Sequence, residues 1–345
     1  MRKLAFVAAM AIVASACGGT PPTTQTSPSA APAGSSATAA PRLVSLKINY
    51  TAISGASSGL WTAFEGGYFK DENLDVELVN VASSTRAVPA LIAKDVQFSH
   101  LDGQVVVDAV TAGAKIKMIS AINNKLVFSI MTKADIKKPE DLKGKKIGIT
   151  TPGSSTHTAT LLALRMWGLV ADKDVALVGL SEVPNILAGL IAGQVDAGTV
   201  SPPTNTRAKA AGFNELLNLG KDGPEWPSVG VGATAEYLQQ NPDVAPRVIK
   251  AYARGTQRFI SDKAFALKTL QKYLKLDDQA VLTDTWEQYS LYLAQTPYVL
   301  GMQSTIDVVA ATNAKAKGTK PEDYLDMSYV KKLDDEGFFK KLFGR

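Results

Sequence analysis

An internal repeat constrains the fold of this chain more than any other feature of its sequence. The segments LDVELVNV, from Leu74, and ALIAKDVQFSHLDG, from Ala90, recur 99 residues later as KDVALVGL and GLIAGQVDAGTVSP. Their identical residues fall on apolar positions with the spacing of a strand, a helix and a second strand. The pattern predicts two copies of one unit, each burying the same faces in its own core. Chance similarity between two βαβ units is the alternative.

Strands and helices alternate around the repeat. The pattern predicts strands over 43–50, 75–81, 96–99 and 116–122, and helices over 60–69, 85–93 and 103–112. A strand over 126–131 is expected to lead out of the first lobe. The residues from 235 onward have helical apolar spacing and are expected to return to that lobe. This alternation predicts an α/β fold with parallel-rich sheets.

The chain is long enough for two cores, since 46% of its 345 residues are apolar and 20% are charged. We predict a signal peptide over 1–16, a lipidated cysteine and disordered linker over 17–42, a first lobe from 43–132 plus 229–345, and a second lobe over 133–228. The two crossovers between the lobes then form a hinge.

The first 17 residues are typical of an export signal. Arg2 and Lys3 precede an apolar run that is too short to span a membrane as a mature helix. Ala14 to Cys17 resemble the lipobox of bacterial lipoproteins, in which the cysteine becomes lipidated, although Ala14 stands where leucine is usual. The prediction is a lipid-anchored protein on the periplasmic or cell-surface side. Ordinary cleavage after Ala16 is the alternative.

Charge and cysteine content exclude two classes of function. Residues 1–42 hold three basic residues and no acid, so the remainder carries 34 basic against 32 acidic residues. No basic stripe with interleaved aromatic residues occurs, which argues against nucleic-acid binding. Cys17 is the only cysteine, which excludes an internal disulfide and a thiolate zinc site. No cofactor is predicted.

Several phrases resemble one family of solute-binding proteins of bacterial ABC importers, the nitrate, sulfonate, taurine and thiamine-precursor binding (SsuA-like) family. They are EGGYFKDENLDVELV, KKPEDLKGKKIGI, a GSS turn, and LIAGQVDA followed by a Ser-Pro-Pro sequence. The resemblance covers about residues 45–260. It implies a two-lobed periplasmic-binding-protein fold (type II). It further implies a monomer that captures a small polar or anionic organic molecule and delivers it to a permease and ATPase.

In such a fold, ligands lie beyond the carboxyl ends of the strands, where helices begin. From the first lobe this nominates Ser54, Ser57, Ser58, Ser84, Thr85, His100, Asp102, Asn123 and Asn124. From the second lobe it nominates Ser154, Ser155, Thr156, His157, Ser201, Pro202 and Thr204. Such residues are also ordinary helix caps and turn formers.

Three alternatives remain open at this point. His100, His157 and Asp102 fit a split metal site, although a stable site needs more ligands and a second shell. Enzymes of thiamine and menaquinone synthesis share the fold, but this chain has neither a cysteine-rich iron motif nor an evident activated nucleophile. A sensor that signals to a membrane receptor is the third alternative, and the sequence does not distinguish it from a transport component.

Overall fold

The computed structural model describes residues 42–81 and 83–344. The predicted signal peptide, Cys17 and almost all of the predicted linker lie outside the described residues. Within the described ranges, no helix has both the length and the apolar character needed to cross a membrane.

Ten strands of the described residues form two five-stranded sheets. The first sheet contains β1 (Val44–Tyr50), β2 (Leu74–Asn80), β3 (Phe98–Leu101), β4 (Ile116–Lys125) and β10 (Glu225–Thr234). The second contains β5 (Ser129–Thr132), β6 (Lys146–Ile149), β7 (Ala176–Gly179), β8 (Ala197–Val200) and β9 (Asn214–Asn218).

The two sheets have the same topology. Their strand orders are β2-β1-β3-β10-β4 and β7-β6-β8-β5-β9. In each sheet three neighbouring strands are parallel, and the fourth strand in the order is antiparallel to both of its neighbours. The lobes therefore exchange a strand: β5 follows the first-lobe strands in the chain but lies in the second sheet, and β10 does the reverse. The predicted α/β class with parallel-rich sheets is confirmed.

Helices cover both sheets. They are α1 (Ser58–Glu65), α2 (Tyr68–Asp71), α3 (Ser84–Ile92), α4 (Gly103–Thr111), α5 (Ser155–Met166), α6 (Val183–Ile191), α7 (Thr204–Ala210), α8 (Leu219–Asp222), α9 (Ala235–Gln240), α10 (Val244–Ser261), α11 (Lys263–Leu274), α12 (Gln279–Tyr292), α13 (Met302–Ala310), α14 (Ser328–Asp335) and α15 (Phe338–Phe343). Short 3₁₀ turns occur at Gly55–Ser57, Pro139–Leu142, Ala314–Ala316 and Pro321–Asp323.

The repeat is confirmed as two copies of one strand, helix and strand unit. Helices α3 and α6 begin and end 99 residues apart, and so do β3 and β8. The identical leucines Leu91 and Leu190 are buried in separate cores, one in each lobe. The same apolar residues therefore recur because equivalent positions of the two copies are buried.

Two predicted elements differ from the structure. The helix predicted over 60–69 is two helices, because Gly66 and Gly67 interrupt it and Gly67 adopts a left-handed conformation with φ 75°. The strand predicted to lead out of the first lobe is β5, which pairs with β8 and β9 in the second sheet. The first-lobe boundary at residue 132 is therefore wrong for this strand, and the crossover lies before Ser129.

The C-terminal helices pack on the first sheet. One buried cluster joins Leu46 and Ile48 of β1 to Val248 and Phe259 of α10 and to Tyr289 of α12. Gly255 lies so close to α1 that a Cβ there would overlap backbone atoms of Gly59 and Ala63. This close approach fixes α10, and α12 beyond it, against the lobe that carries half of the cleft.

Candidate functional site

A cavity lies between the two lobes at the carboxyl ends of their strands. Its space measures about 840 Å³ when the open solvent at its mouth is included. The loops after β1, β2, β6, β7 and β8 contribute to its lining. Matching loops from the two copies of the repeat thus converge on one space.

Nine of the predicted site residues line this cavity. They are Ser54, Ser57, Ser84, His100, Asn123, Ser154, Ser155, Thr156 and Ser201.

The other seven predicted residues do not line it. They are Ser58, Thr85, Asp102, Asn124, His157, Pro202 and Thr204.

Local structure explains most of these differences. Ser58 donates its hydroxyl to the carbonyl of Gly55. Asp102 caps α4 by accepting from the Gln104 amide at 2.8 Å. Asn124 contacts the C-terminal segment, because its side chain bonds the backbone of Tyr298 and Leu300 at 2.8 and 3.0 Å.

The remaining four residues serve the walls of the cleft. His157 Nδ1 accepts from the Gly153 amide at 2.9 Å. The Thr85 hydroxyl lies 2.9 Å from that of Ser83. Thr204 is the first residue of α7, and the Pro202 carbonyl accepts from the Gly55 amide at 3.4 Å.

Hydroxyl groups at the start of α5 hold the second-lobe loop in place. The Thr150 hydroxyl donates to Ser154 Oγ at 2.8 Å, and the Thr150 amide donates to Thr156 Oγ1 at 2.8 Å. Ser154 Oγ also accepts from the His157 amide at 3.4 Å and so caps the helix. The Ser154 hydroxyl is therefore engaged within the protein, and Ser155 is the serine of this turn with more freedom to meet a ligand.

Sixteen other residues line the cavity and were not predicted from the sequence. They are Thr51, Ala52, Ile53, Ala56, Asn80, Ser83, Val127, Phe128, Thr150, Ser181, Glu182, Val183, Pro184, Ser228, Val229 and Tyr289. Val183 is equivalent in the repeat to the predicted Ser84, so the 99-residue offset carried a signal for Val183 and for the adjacent Glu182. Tyr289 lies in a helix outside the repeat and had no such signal.

The charge inside the cavity differs from what a simple anion requires. Among the described residues that line it there is no lysine or arginine, and Glu182 is the one carboxylate. Burial lowers the pKa of His100 to about 3, so this histidine is neutral at physiological pH. Its Nε2 lies 3.0 Å from the Tyr252 hydroxyl. The cavity therefore presents hydroxyls, amides and helix N-termini, but no formal positive charge.

The second histidine does not complete a metal site. Burial lowers the pKa of His157, and its Nδ1 is engaged with the Gly153 amide. Among the described residues, no group of three or more histidine, cysteine, aspartate or glutamate side chains is arranged to hold a metal ion. The split-metal alternative thus gains no support from the positions of the two imidazoles.

The two lobes touch across the cleft, so the arrangement is closed. On one edge the Ser83 and Thr151 hydroxyls are 2.9 Å apart, and Thr158 donates to Gln104 at 2.7 Å. On the other edge α7 meets α12. There the Asn205 side chain donates to the side-chain oxygen Oε1 of Gln288 at 3.1 Å, and the Thr206 hydroxyl donates to the Asp284 carboxylate.

Two lobes with matching topology, one exchanged strand and a cavity between them define the architecture of periplasmic binding proteins. The chain belongs to the NMT1/THI5-like family, whose sequence profile matches residues 55–264. The family resemblance predicted from the sequence is confirmed.

Known proteins agree with this assignment. The chain is 27% identical over 214 residues to the taurine-binding periplasmic protein of Escherichia coli K12, a match that covers 61% of this chain and 65% of that protein, just under two thirds. A solved structure from Bordetella bronchiseptica RB50 has a TM-score of 0.75 at 21% identity, covering 85% of this chain and 98% of that one. The alkanesulfonate-binding protein SsuA of Xanthomonas axonopodis pv. citri, bound to MOPS, has a TM-score of 0.68 at 21% identity, with coverage of 80% and 95%. These two structural matches show the fold.

Proposed function

We propose that this protein is an extracytoplasmic solute-binding protein that captures a small polar organic molecule between its lobes and delivers it to an ABC importer. The observation that carries the proposal is the cavity, which both copies of the repeat line and which the closed lobes enclose. Membership of the NMT1/THI5-like family and similarity to taurine-binding and alkanesulfonate-binding proteins support binding rather than catalysis.

The cavity favours a ligand that is not a simple anion. Hydroxyls of Ser155 and Ser57 and the first turns of α3 and α5 suit an anionic or strongly polar head. Glu182 lines the same cavity, and no hydrogen bond or ion pair joins its carboxylate to another described side chain. A simple anionic ligand enclosed in this cavity would lie near Glu182 with no positive side chain to balance its charge, which is unfavourable. The ligand is therefore neutral, or it carries its own protonated nitrogen near Glu182.

Titration of a ligand panel tests this proposal. The panel pairs taurine with ethanesulfonate, and adds nitrate, simple carboxylates and neutral heterocycles. We expect taurine or a neutral compound to bind more tightly than ethanesulfonate or nitrate. Glu182→Gln should weaken binding of an ammonium-bearing ligand by roughly 10- to 100-fold, because one charge-assisted hydrogen bond is lost. It should leave neutral ligands almost unchanged and strengthen binding of simple anions.

Glu140→Gln is the matched control, because Glu140 is exposed in the same lobe and does not line the cavity. If no small molecule of the panel binds and none co-purifies with the protein, the proposed function is wrong. If nitrate or ethanesulfonate binds best and Glu182→Gln has no effect, only the assignment of ligand charge is wrong.

We further propose that Cys17 carries a lipid anchor that holds the binding domain near a membrane-bound permease. The support is the lipobox-like sequence that ends at Cys17. Stable anchoring needs more than one acyl chain, and lipoprotein processing supplies these on the same residue.

Cys17→Ala should move the protein from the membrane fraction to the soluble fraction of the producing cells. Fractionation and immunoblotting measure the change, and Ser15→Ala is the control within the same motif. Equal distribution of wild type and Cys17→Ala would contradict the anchor without affecting the proposal for the cavity.

A further inference from the structure

We infer that Tyr289 is a ligand-binding residue, which donates its phenolic hydroxyl to an oxygen acceptor of the solute. The inference rests on the proposed function and deepens it. It assigns a binding residue beyond the family-matched segment, which ends at residue 264.

Helix α12 brings Tyr289 into the site from the C-terminal region. The side chain is 1% exposed and belongs to the main buried cluster of the first lobe. It also lines the cavity. The ring is therefore anchored in a packed core while its polar end reaches the ligand space, an arrangement that suits a buried tyrosine.

Gly55 fixes the position of the ring. A Cβ at residue 55 would overlap Cδ2 and Cε2 of Tyr289, so the ring lies flat against the backbone of the loop after β1. Any larger residue at position 55 would push the ring away. The close approach orients the phenol toward the junction of the two lobes, where Ser54 and Ser201 lie.

The phenol keeps its proton and has hydroxyl neighbours from both lobes. Burial raises the pKa of Tyr289 to about 12, although the hydroxyls of Ser54 and Ser201 act in the opposite direction. At neutral pH the group is therefore a hydrogen-bond donor. Ser54 belongs to the first lobe and Ser201 follows β8 of the second, so all three hydroxyls meet where the lobes close.

A second observation points to a ligand at this place. Ser201 lines the cavity and is 2% exposed, and its Oγ makes no hydrogen bond of normal geometry among the described residues, although it lies near enough to the Tyr289 hydroxyl to affect the pKa of that tyrosine. A buried hydroxyl without a partner is unfavourable. A sulfonate, carboxylate or carbonyl oxygen at this junction would accept from both Tyr289 and Ser201, and so would connect the two lobes.

Tyr289→Phe tests the inference because it removes the hydroxyl and keeps the ring. With the tightest-binding oxygen-bearing compound of the panel, we expect calorimetry to show affinity reduced roughly 5- to 20-fold. The melting temperature without ligand should stay within a degree or two of wild type. Tyr292→Phe is the control, since Tyr292 ends the same helix and does not line the cavity.

Gly55→Ala is a second variant that acts through the same residue. It should weaken binding by displacing the ring, and its effect should not add to that of Tyr289→Phe. Equal affinities of wild type, Tyr289→Phe and Gly55→Ala would overturn the inference and leave the proposed function standing. Failure of wild type to bind any small molecule would overturn both.

Discussion

Asp102→Asn is expected to be more stable than wild type by up to about 4 kcal/mol at pH 8 but by less than about 1 kcal/mol at pH 4, because a buried carboxylate is replaced by a neutral amide. Asp102 is 1% exposed. One oxygen accepts from the Gln104 amide, but Oδ2 has no hydrogen-bond partner among the described residues. Burial raises the pKa of Asp102 to about 7, and the hydrogen bond from the Gln104 amide offsets only part of this effect.

The sign of the pH dependence follows from which state, folded or unfolded, holds the Asp102 proton more tightly. The ordinary pKa of the group is 3.8, and the folded value is about 7. Well below pH 3.8 the carboxyl is protonated in both states and contributes no difference. As the pH rises toward 7, the unfolded chain releases its proton freely while the folded protein resists, so stability falls. Asparagine stays neutral throughout and is also a good N-cap for α4.

Denaturant unfolding at pH 4, 6 and 8 measures the effect as the difference between variant and wild type. The difference is needed because His100 acts in the opposite direction: burial lowers its pKa to about 3, so it adds stability as the pH rises toward 6.5. Asp108→Asn, at a position of the same helix that is not fully buried, is the control for replacing a carboxylate of α4 by an amide. A constant difference for Asp102→Asn at all three pH values would contradict the buried-charge explanation.

The sequence predicted the core of each lobe well because the repeat encodes burial directly. Leu91 and Leu190 recur at a fixed offset, and both turn out to be buried at equivalent helix positions. The exchange of β5 and β10 was harder to predict. All four residues of Ser129–Thr132 are buried. A strand that is covered on both faces has the same apolar pattern in either sheet, so its residues do not indicate which sheet it joins.

The site was predicted where strand ends determine it and missed where packing determines it. Three predicted residues that follow the carboxyl ends of β2, β6 and β8 line the cavity, namely Ser84, Ser155 and Ser201. Asp102 follows a strand in the same way, but its carboxylate turns back to cap α4. Tyr289 reaches the cavity because α12 packs on the first lobe, a tertiary contact that no local pattern near residue 289 reveals.

The charge of the site could also not be predicted from the sequence. The loops near the cleft are rich in serine and threonine, which suggested an anionic or strongly polar head held by neutral donors. The cavity supports the donors, but it also places Glu182 among them, and Glu182 was not among the predicted residues. Because the expected ligand was polar or anionic, one lining carboxylate favours the polar alternative, a neutral or zwitterionic molecule, over a simple anion.

Ligand binding is expected to close the hinge between the lobes. A variant that lacks interlobe hydrogen bonds at both edges of the cleft should therefore bind every ligand less tightly. The lobes are joined by short crossovers at 126–128 and 219–224, and the closed arrangement is held by hydrogen bonds on each edge. A ligand that contacts both lobes stabilises this state by its differential affinity. Small-angle scattering should therefore show a smaller radius of gyration at saturating ligand.

The double variant Thr158→Val with Asp284→Ala removes one interlobe acceptor or donor from each edge without touching a lining residue. The lost bonds should raise the apparent Kd by roughly tenfold to several hundredfold, because binding must also supply the energy of closure. The factor should be the same for all ligands of the panel. A direct ligand contact would instead change the order of preference among them.

Thr111→Val with Asp335→Ala is the matched control, because these side chains bond within the first lobe and not across the cleft. It should leave both the affinity and the scattering profile unchanged. The unliganded double variant should have the larger radius of gyration, since the open state gains population when the edges no longer hold. Hinge closure is contradicted if ligand leaves the scattering profile of wild type unchanged. Weakening that differs from one ligand to the next would show that Thr158 or Asp284 contributes to recognition directly.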